Sequence, residues 1–85
     1  MAVYVDSLAL CVTTPAWPWG RACHLFADTD AELHDFAASI SLKRAWFQDR
    51  RDFPHYDLTS GKRKEAVRAG AREATREDVV RRMEA

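Results

Sequence analysis

The stretch "ACHLFADTDAELHDFAASI", residues 22–40, decides the fold class, because its periodicity changes once along its length. Residues 22–28 predict a strand, in which successive side chains point to opposite faces. The residues that follow, 29–40, repeat at helical spacing and predict a helix that packs on this strand. One face of the strand takes Cys23, Leu25 and Ala27, and the other takes His24, Phe26 and Asp28.

The helix begins at a capping box. Thr29 and Glu32 stand three residues apart, a pattern that satisfies backbone N–H groups in the first turn of a helix. Leu33, Phe36 and Ile40 then form an apolar stripe. The stripe needs a partner surface, and the apolar strand supplies one.

Further elements follow outward from this unit. Two more helices are predicted near residues 60–69 and 76–84, with Thr59 and Thr75 as their N-caps and Gly70 ending the first. Further strands are predicted near residues 2–6 and 71–74, and residues 44–48 are either a strand, which we favour, or the close of a short helix. Helices and strands interleave, so we expect a small layered α/β domain over residues 1–85, with a short, mostly parallel sheet of three or four strands and about three helices.

Nine aromatic residues carry much of the burial in a chain of 85 residues. Large rings each bury much apolar area, which suits a small core. A chain this short also gains stability by pairing, so a homodimer is one expectation. The side chains predicted to be buried are Val3, Val5, Leu25, Leu33, Phe36, Ile40 and Trp46.

Charge is distributed unevenly although the formal net charge is zero. Residues 1–42 carry a charge of −4 and residues 43–85 a charge of +4. A basic half favours phosphate groups, nucleic acid or an acidic partner. The alternative is that these lysines and arginines coat exposed helix faces.

The chain shows no sign of export or membrane insertion. "MAVYVDSLAL" lacks the basic start of a signal peptide, and no apolar run approaches the length of a membrane span. Two cysteines, Cys11 and Cys23, are too few for a disulfide framework. We therefore expect a cytoplasmic protein with free thiols and no membrane partner.

Several segments together carry a family resemblance. "VYVD", "HLFAD" before "ELHDFA", "LKRAWFQ", "PHYDLT" and "KRKEAVRAGA" occur in that order. With them the chain resembles the domain of unknown function 4031 family, small proteins of bacteria and their phages. The resemblance implies kinship and a cytoplasmic setting but no reaction. The chain departs from the family pattern at Ser41, where glycine is usual, and in the loop of residues 7–20.

The segment "FPHYDL", residues 53–58, is the main candidate site. Pro54 favours extended backbone at Phe53, and side chains two residues apart in extended chain point the same way. His55 and Asp57 are therefore presented as a pair, and with His24 they form the candidate catalytic group. Further binding residues are predicted at Asp6, Asp28, His34, Gln48, Lys62 and Arg63.

These residue types support several kinds of chemistry. A histidine beside a carboxylate acts as general base or acid, and Lys62 with Arg63 at a helix start suits phosphate. A divalent metal site, with zinc or manganese on His24, His55 and Asp57 and His34 as a further ligand, matches no standard spacing signature. The structural alternative gives the same residues caps, turns and backbone hydrogen bonds.

The functions open at this point fall into two classes. The first is a ligand-binding or hydrolytic domain acting on a phosphate-containing molecule or nucleic acid through a His/Asp site. The second is a non-catalytic accessory factor that binds nucleic acid through its basic residues or protein through the loop of Trp17 and Trp19.

Overall fold

The computed structural model describes residues 2–84, which form six short strands and three α-helices. The predicted helices and the first two predicted strands are confirmed within one residue or two. The segment of residues 44–48 is a single 3-10 turn, Arg44–Trp46, followed by a two-residue strand. In chain order the elements are β1 (Val3–Val5), β2 (Ala9–Leu10), β3 (Arg21–Ala27), α1 (Asp30–Ser39), β4 (Phe47–Gln48), β5 (His55–Leu58), α2 (Ser60–Arg68), β6 (Arg72–Glu73) and α3 (Arg76–Glu84).

The predicted helix caps are confirmed. Thr29, Thr59 and Thr75 each accept, through Oγ1, the backbone N–H of the residue three positions later, at 3.2 Å. Gly70 follows the end of α2 with φ of 110°, a conformation that side chains rarely adopt.

The end of α1 is closed by a residue other than glycine. Ser41 has φ of 63°, in the left-handed region. The N–H of Leu42 donates to the carbonyl of Ala37 at 2.9 Å, and the N–H of Ser41 donates to Ala38 at 3.1 Å. This is the Schellman pattern, whose left-handed position favours glycine, so the departure from the family pattern at Ser41 carries a conformational cost.

The sheet is mixed and mostly antiparallel, so the prediction of a mostly parallel sheet of three or four strands is wrong. The strand order is β4-β5-β3-β1-β6, and β2 pairs with the start of β3. Among the described residues, β1 and β6 form the one parallel pair. Parallel neighbours require a crossover connection, whereas β1 reaches β3 through a loop and β2, without a helix.

The helices still connect strands that point the same way, but these strands are not neighbours. α2 leads from β5 to β6, and β3 and β1 lie between them. α1 leads from β3 to β4, with β5 between them. The interleaving of helices and strands therefore indicated strand direction and not strand pairing.

One face of the sheet packs on α1 and α2. Cys23, Leu25 and Ala27 all belong to this core, so the predicted alternation in β3 is confirmed. Tyr56 and Leu58 from β5 join them. Val3 and Phe36 are only partly buried, and the prediction that Trp46 is buried is wrong: it is 48% exposed. Trp46 ends the 3-10 turn instead of occupying a central strand, and its ring lies 5.5 Å from Lys43 Nζ.

The opposite face carries a row of stacked rings and the candidate site. Tyr4 and Phe26 have ring centroids 5.1 Å apart, and Phe26 and Phe53 have centroids 5.0 Å apart. Helix α3 lies at this face, where Arg82 Nε donates to the carbonyl of Ala27 at 2.7 Å. None of the helices within residues 2–84 is long and apolar enough to cross a membrane.

Candidate functional site

Strand pairing brings the two halves of the candidate site together. His24 in β3 stands opposite Asp57 in the antiparallel ladder with β5. His55 precedes Asp57 by two residues, so the two side chains share a face, as predicted. That face is the one opposite the core. His24, His55 and Asp57 therefore meet although 30 residues separate the first two in sequence.

The polar atoms of these three side chains converge. His55 Nε2 lies 3.4 Å from Asp57 Oδ1, and His24 Nε2 lies 4.0 Å from the same oxygen. The two imidazole rings are perpendicular, with centroids 4.7 Å apart. One ligand atom from each residue lies within 4.8 Å of the other two, a spacing at which a single metal ion can be bound.

Each imidazole is oriented through its other nitrogen. His24 Nδ1 lies 2.6 Å from Asp6 Oδ2, and His55 Nδ1 lies 2.8 Å from the carbonyl oxygen of Phe53. A carboxylate or a carbonyl oxygen only accepts, so Nδ1 carries the hydrogen in both rings. In the neutral tautomer that results, the Nε2 lone pair of each ring points towards Asp57.

The orientation of the two rings brings groups of like partial charge together at the centre of the site. When both imidazoles are neutral, two nitrogen lone pairs face a carboxylate oxygen, and their electron density repels. A proton or a metal cation between them turns the repulsion into attraction. Metal-bound histidines commonly donate their second N–H to a carboxylate or a carbonyl, as His24 and His55 do here.

The pKa values follow the same contacts. The hydrogen bond to Asp6 raises the pKa of His24 above its ordinary value, although burial opposes the shift. When His55 is protonated, its Nε2–H donates to Asp57 and lowers the pKa of this carboxyl, so Asp57 is ionised at neutral pH. The site thus combines an ionised carboxylate at Asp57 with an imidazole of increased basicity at His24.

Burial holds the segment of residues 53–58 in place. Phe53, Pro54, His55 and Tyr56 are buried, whereas Asp57 is half-buried. The Phe53 ring stacks on His55 with centroids 5.4 Å apart and meets the edge of His24 at 5.6 Å. The Phe53 ring thus packs against both imidazoles and helps to hold them in place.

The site opens into a cavity of about 460 Å³. Arg50 and Asp52, from the loop between β4 and β5, bring charges of both signs to it. Val79 and Met83 of α3 form an apolar part of its wall. The volume lies within the usual range for small-molecule sites.

Comparison with known families identifies the chain. The model of the family described as "Protein of unknown function (DUF4031)" matches residues 3–85. The chain belongs to this family. Comparisons with curated proteins and with solved structures give no match. DUF4031 membership thus confirms the resemblance of the motifs, and the chemistry of the site has to be argued from its geometry.

Two of the predicted binding residues in this DUF4031 chain belong to the site. Asp6 orients His24 through Nδ1 and also accepts the backbone N–H of His24 on Oδ1 at 2.6 Å. Gln48 pairs with His55 across β4 and β5 and lines the cavity. Both contribute from neighbouring strands.

Asp28 and His34 lie elsewhere. Asp28 accepts the backbone N–H of Ala2 at 3.0 Å, at the opposite end of β1 from Asp6. Asp28 therefore lies away from the other predicted binding residues, because antiparallel β1 and β3 bring their carboxyl ends to opposite edges of the sheet. His34 is hydrogen-bonded to the Tyr56 hydroxyl at 2.9 Å, on the core side, so it is no fourth ligand.

Lys62 and Arg63 have structural contacts instead of a free anion site. Lys62 Nζ donates to the carbonyl of Ile40 at 2.6 Å. Arg63 Nε donates to the carbonyl of Asp6 at 2.8 Å, and its guanidinium pairs with Glu73 at 3.2 Å. Arg63 therefore supports the backbone of Asp6 and acts on the site indirectly.

Sequence reasoning did not assign five contributors to the site: Arg50, Asp52, the carbonyl of Phe53, Val79 and Met83. The carbonyl of Phe53, which sets the His55 tautomer, has no side-chain signal. Asp52 lies in a charged run that is typical of a solvated loop, and Val79 and Met83 read as the apolar face of a helix. The sequence does contain a signal for Val79 and Met83, because α3 has few other apolar residues with which to pack against the domain.

Proposed function

We propose that this domain binds a divalent metal ion through His24, His55 and Asp57 and hydrolyses a phosphate-containing molecule there. One observation carries the proposal: three ligand atoms lie within 4.8 Å of one another while both Nδ1 atoms are hydrogen-bonded elsewhere. The Nδ1 hydrogen bonds to Asp6 and to the Phe53 carbonyl leave the Nε2 atoms of both rings near Asp57 Oδ1, at 4.0 Å and 3.4 Å.

The ligand set favours zinc, manganese or ferrous iron. Two imidazoles and one carboxylate offer mixed nitrogen and oxygen donors, which suit these metals. Three protein ligands leave room in the coordination sphere for water or substrate, as in catalytic zinc sites. A metal held by these three residues would lower the pKa of a bound water towards neutral pH and so supply a nucleophile.

The surrounding residues fit hydrolysis of a phosphate ester. Hydrolysis would add water to phosphorus and break the P–O bond to the leaving group, and the proton that the water loses would end on the leaving oxygen. Arg50 lines the cavity and supplies a positive charge for the phosphoryl oxygens, whereas Lys62 and Arg63 are engaged in structural contacts. The basic half of the chain favours the approach of an anionic substrate.

The setting that we propose is the cytoplasm of a bacterium or a phage-infected cell. The two cysteines agree with a reducing compartment, because Cys11 is exposed and Cys23 is buried as free thiols.

The first test is metal binding. Chelator-treated protein is titrated with Zn²⁺, Mn²⁺ and Fe²⁺ by calorimetry, and Co²⁺ is added to read the ligand field in the visible spectrum. We expect one ion per chain for at least one metal, with binding lost in His24→Ala, His55→Ala and Asp57→Ala. His34→Ala is the matched control, since it removes a histidine that lies outside the site.

The second test is turnover. Loaded protein is assayed with phosphate monoesters and diesters of p-nitrophenol, alongside the same protein with chelator. Metal-dependent release of nitrophenol that disappears in His55→Ala supports hydrolysis. A folded protein that binds none of the ions, or a His34→Ala variant that loses binding as strongly as His55→Ala, would refute the proposal.

A further inference from the structure

A second cavity, which we call the tryptophan groove, adjoins the candidate metal site. Its volume is about 920 Å³, and its walls include Trp17, Trp19 and Trp46. The groove is lined by aromatic residues of the loop after β2 and of the 3-10 turn. Trp19 is 58% exposed, so its indole face is open to a ligand.

The aromatic wall is held in place before any ligand binds. Trp17 Nε1 donates to the carbonyl of Arg21 at 2.9 Å, and the Trp17 backbone N–H is bound by Thr14. The Trp17 and Trp19 rings meet edge to face with centroids 4.9 Å apart. A preformed ring surface lowers the entropy that a ligand must lose on binding.

The groove reaches the ligand atoms of the metal site. His24, Gln48 and Asp57 line both cavities. A molecule lying in the groove can therefore place one end at His24 and Asp57 while its other end contacts the tryptophans. Gln48, at the junction, offers both a donor and an acceptor through its side-chain amide.

The charges around the groove suit an anion with an aromatic group. Lys43 Nζ lies 5.5 Å from the Trp46 ring, and Lys62 lines the groove while its Nζ donates to the carbonyl of Ile40. Among the described residues that line the groove, Asp57 is the one acidic side chain, and it lies at the junction with the metal site. An aliphatic ligand would leave the indole faces of the three tryptophans without the stacking partner that an aromatic group provides.

We propose that the tryptophan groove binds a nucleobase whose attached phosphate lies at the metal site. The substrate class is then a nucleotide, either free or at the end of a single strand. Indole faces stack bases with little dependence on sequence, and nearby cations hold the backbone. Binding of the base does not depend on the metal site, and only the position of the phosphate rests on the proposed function.

The test uses chelator-treated protein, so that base binding is measured without the metal. Quenching of tryptophan fluorescence is followed with adenosine, uridine and guanosine monophosphates, with a short single strand of thymidine, and with ribose 5-phosphate. We expect saturable quenching by the base-containing ligands and none by ribose 5-phosphate. Tighter binding of the strand identifies a strand end, and tighter binding of the monophosphates identifies free nucleotides.

Variants separate stacking from general apolar contact. Trp46→Ala and Trp19→Ala are each expected to weaken binding by about tenfold, and Trp46→Phe to retain most of it, because a phenyl ring still stacks. Leu10→Ala is the matched control, since Leu10 lines the same groove without a ring. An equal loss in Leu10→Ala would overturn the proposal in favour of an aliphatic or peptide ligand.

Two further outcomes would also overturn it. The first is equal affinity for ribose 5-phosphate and adenosine monophosphate. The second is sedimentation showing that a second copy of the chain covers Trp19 at the protein concentrations used. Failure of metal binding alone leaves the quenching intact, so failure of the metal proposal and failure of the base subsite remain distinguishable.

Discussion

Replacement of Asp6 by asparagine tests the geometry of the metal site most directly. Asp6 Oδ2 lies 2.6 Å from His24 Nδ1, while Oδ1 accepts the backbone N–H of His24 at 2.6 Å. Asparagine keeps the shape and one acceptor but removes the negative charge. The ring of His24 then loses the partner that makes Nε2 a stronger donor to a metal.

The size of the effect follows from the role of Asp6. Loss of an outer partner of a metal-bound histidine typically lowers metal affinity by about 10–100-fold. That range corresponds to about 1.4–2.8 kcal/mol of binding free energy. We expect a value in this range, because the contact is short, charge-assisted and half-buried.

The assay is competition for Zn²⁺ against a chromophoric chelator, with thermal unfolding of each metal-free variant to confirm that it folds. Asp52→Asn is the matched control, since Asp52 lines the same cavity and its replacement removes the same charge. An Asp6→Asn affinity within about twofold of the parent, or an equal loss in Asp52→Asn, would contradict the role assigned to Asp6.

Three further predictions concern the fold. Ser41→Gly should raise the free energy of unfolding by about 1 kcal/mol in urea titration. A left-handed residue with a side chain costs about 1–2 kcal/mol, and the added freedom of glycine in the unfolded chain offsets part of this gain. A loss of stability would contradict the strain at Ser41. Tyr56→Phe should lower the free energy of unfolding by about 1 kcal/mol, since the hydroxyl bonded to His34 is lost. No change would mean that water replaces the hydrogen bond without cost. Burial raises the pKa of Cys23 to about 12, whereas Cys11 is exposed. A disulfide reagent at mildly alkaline pH should therefore modify Cys11 at once and Cys23 only after unfolding. Rapid reaction of both thiols would show that the core opens.

The local features of the fold could be predicted from the sequence, because each depends on residues close together in the chain. Threonine caps bind an N–H three residues away, so Thr29, Thr59 and Thr75 mark where the helices begin. Side chains alternate along an extended strand, so the faces of residues 22–28 could be assigned. The same rule paired His55 with Asp57, since residues two apart in a strand share a face.

The pairing of strands depended on the tertiary structure, because many arrangements satisfy the same apolar patterns. Interleaved helices suggested parallel neighbours, whereas α1 and α2 connect strands that are separated by others. That difference decides the members of the site. Antiparallel β1 and β3 bring Asp6 to His24 and send Asp28 to the far edge.

Partners that are distant in sequence were likewise decided by the fold alone. His34 and His24 look alike as histidines near apolar residues, yet one binds the Tyr56 hydroxyl and the other faces Asp57. The carbonyl of Phe53 sets the tautomer of His55 through backbone geometry that no residue type encodes. The sequence by itself thus indicated the helices, the main strands and the His55–Asp57 pair, and it offered His24 and Asp6 as candidates. The tertiary structure decided that these two join the pair and that Asp28 and His34 do not, because contacts across a sheet depend on which strands are neighbours.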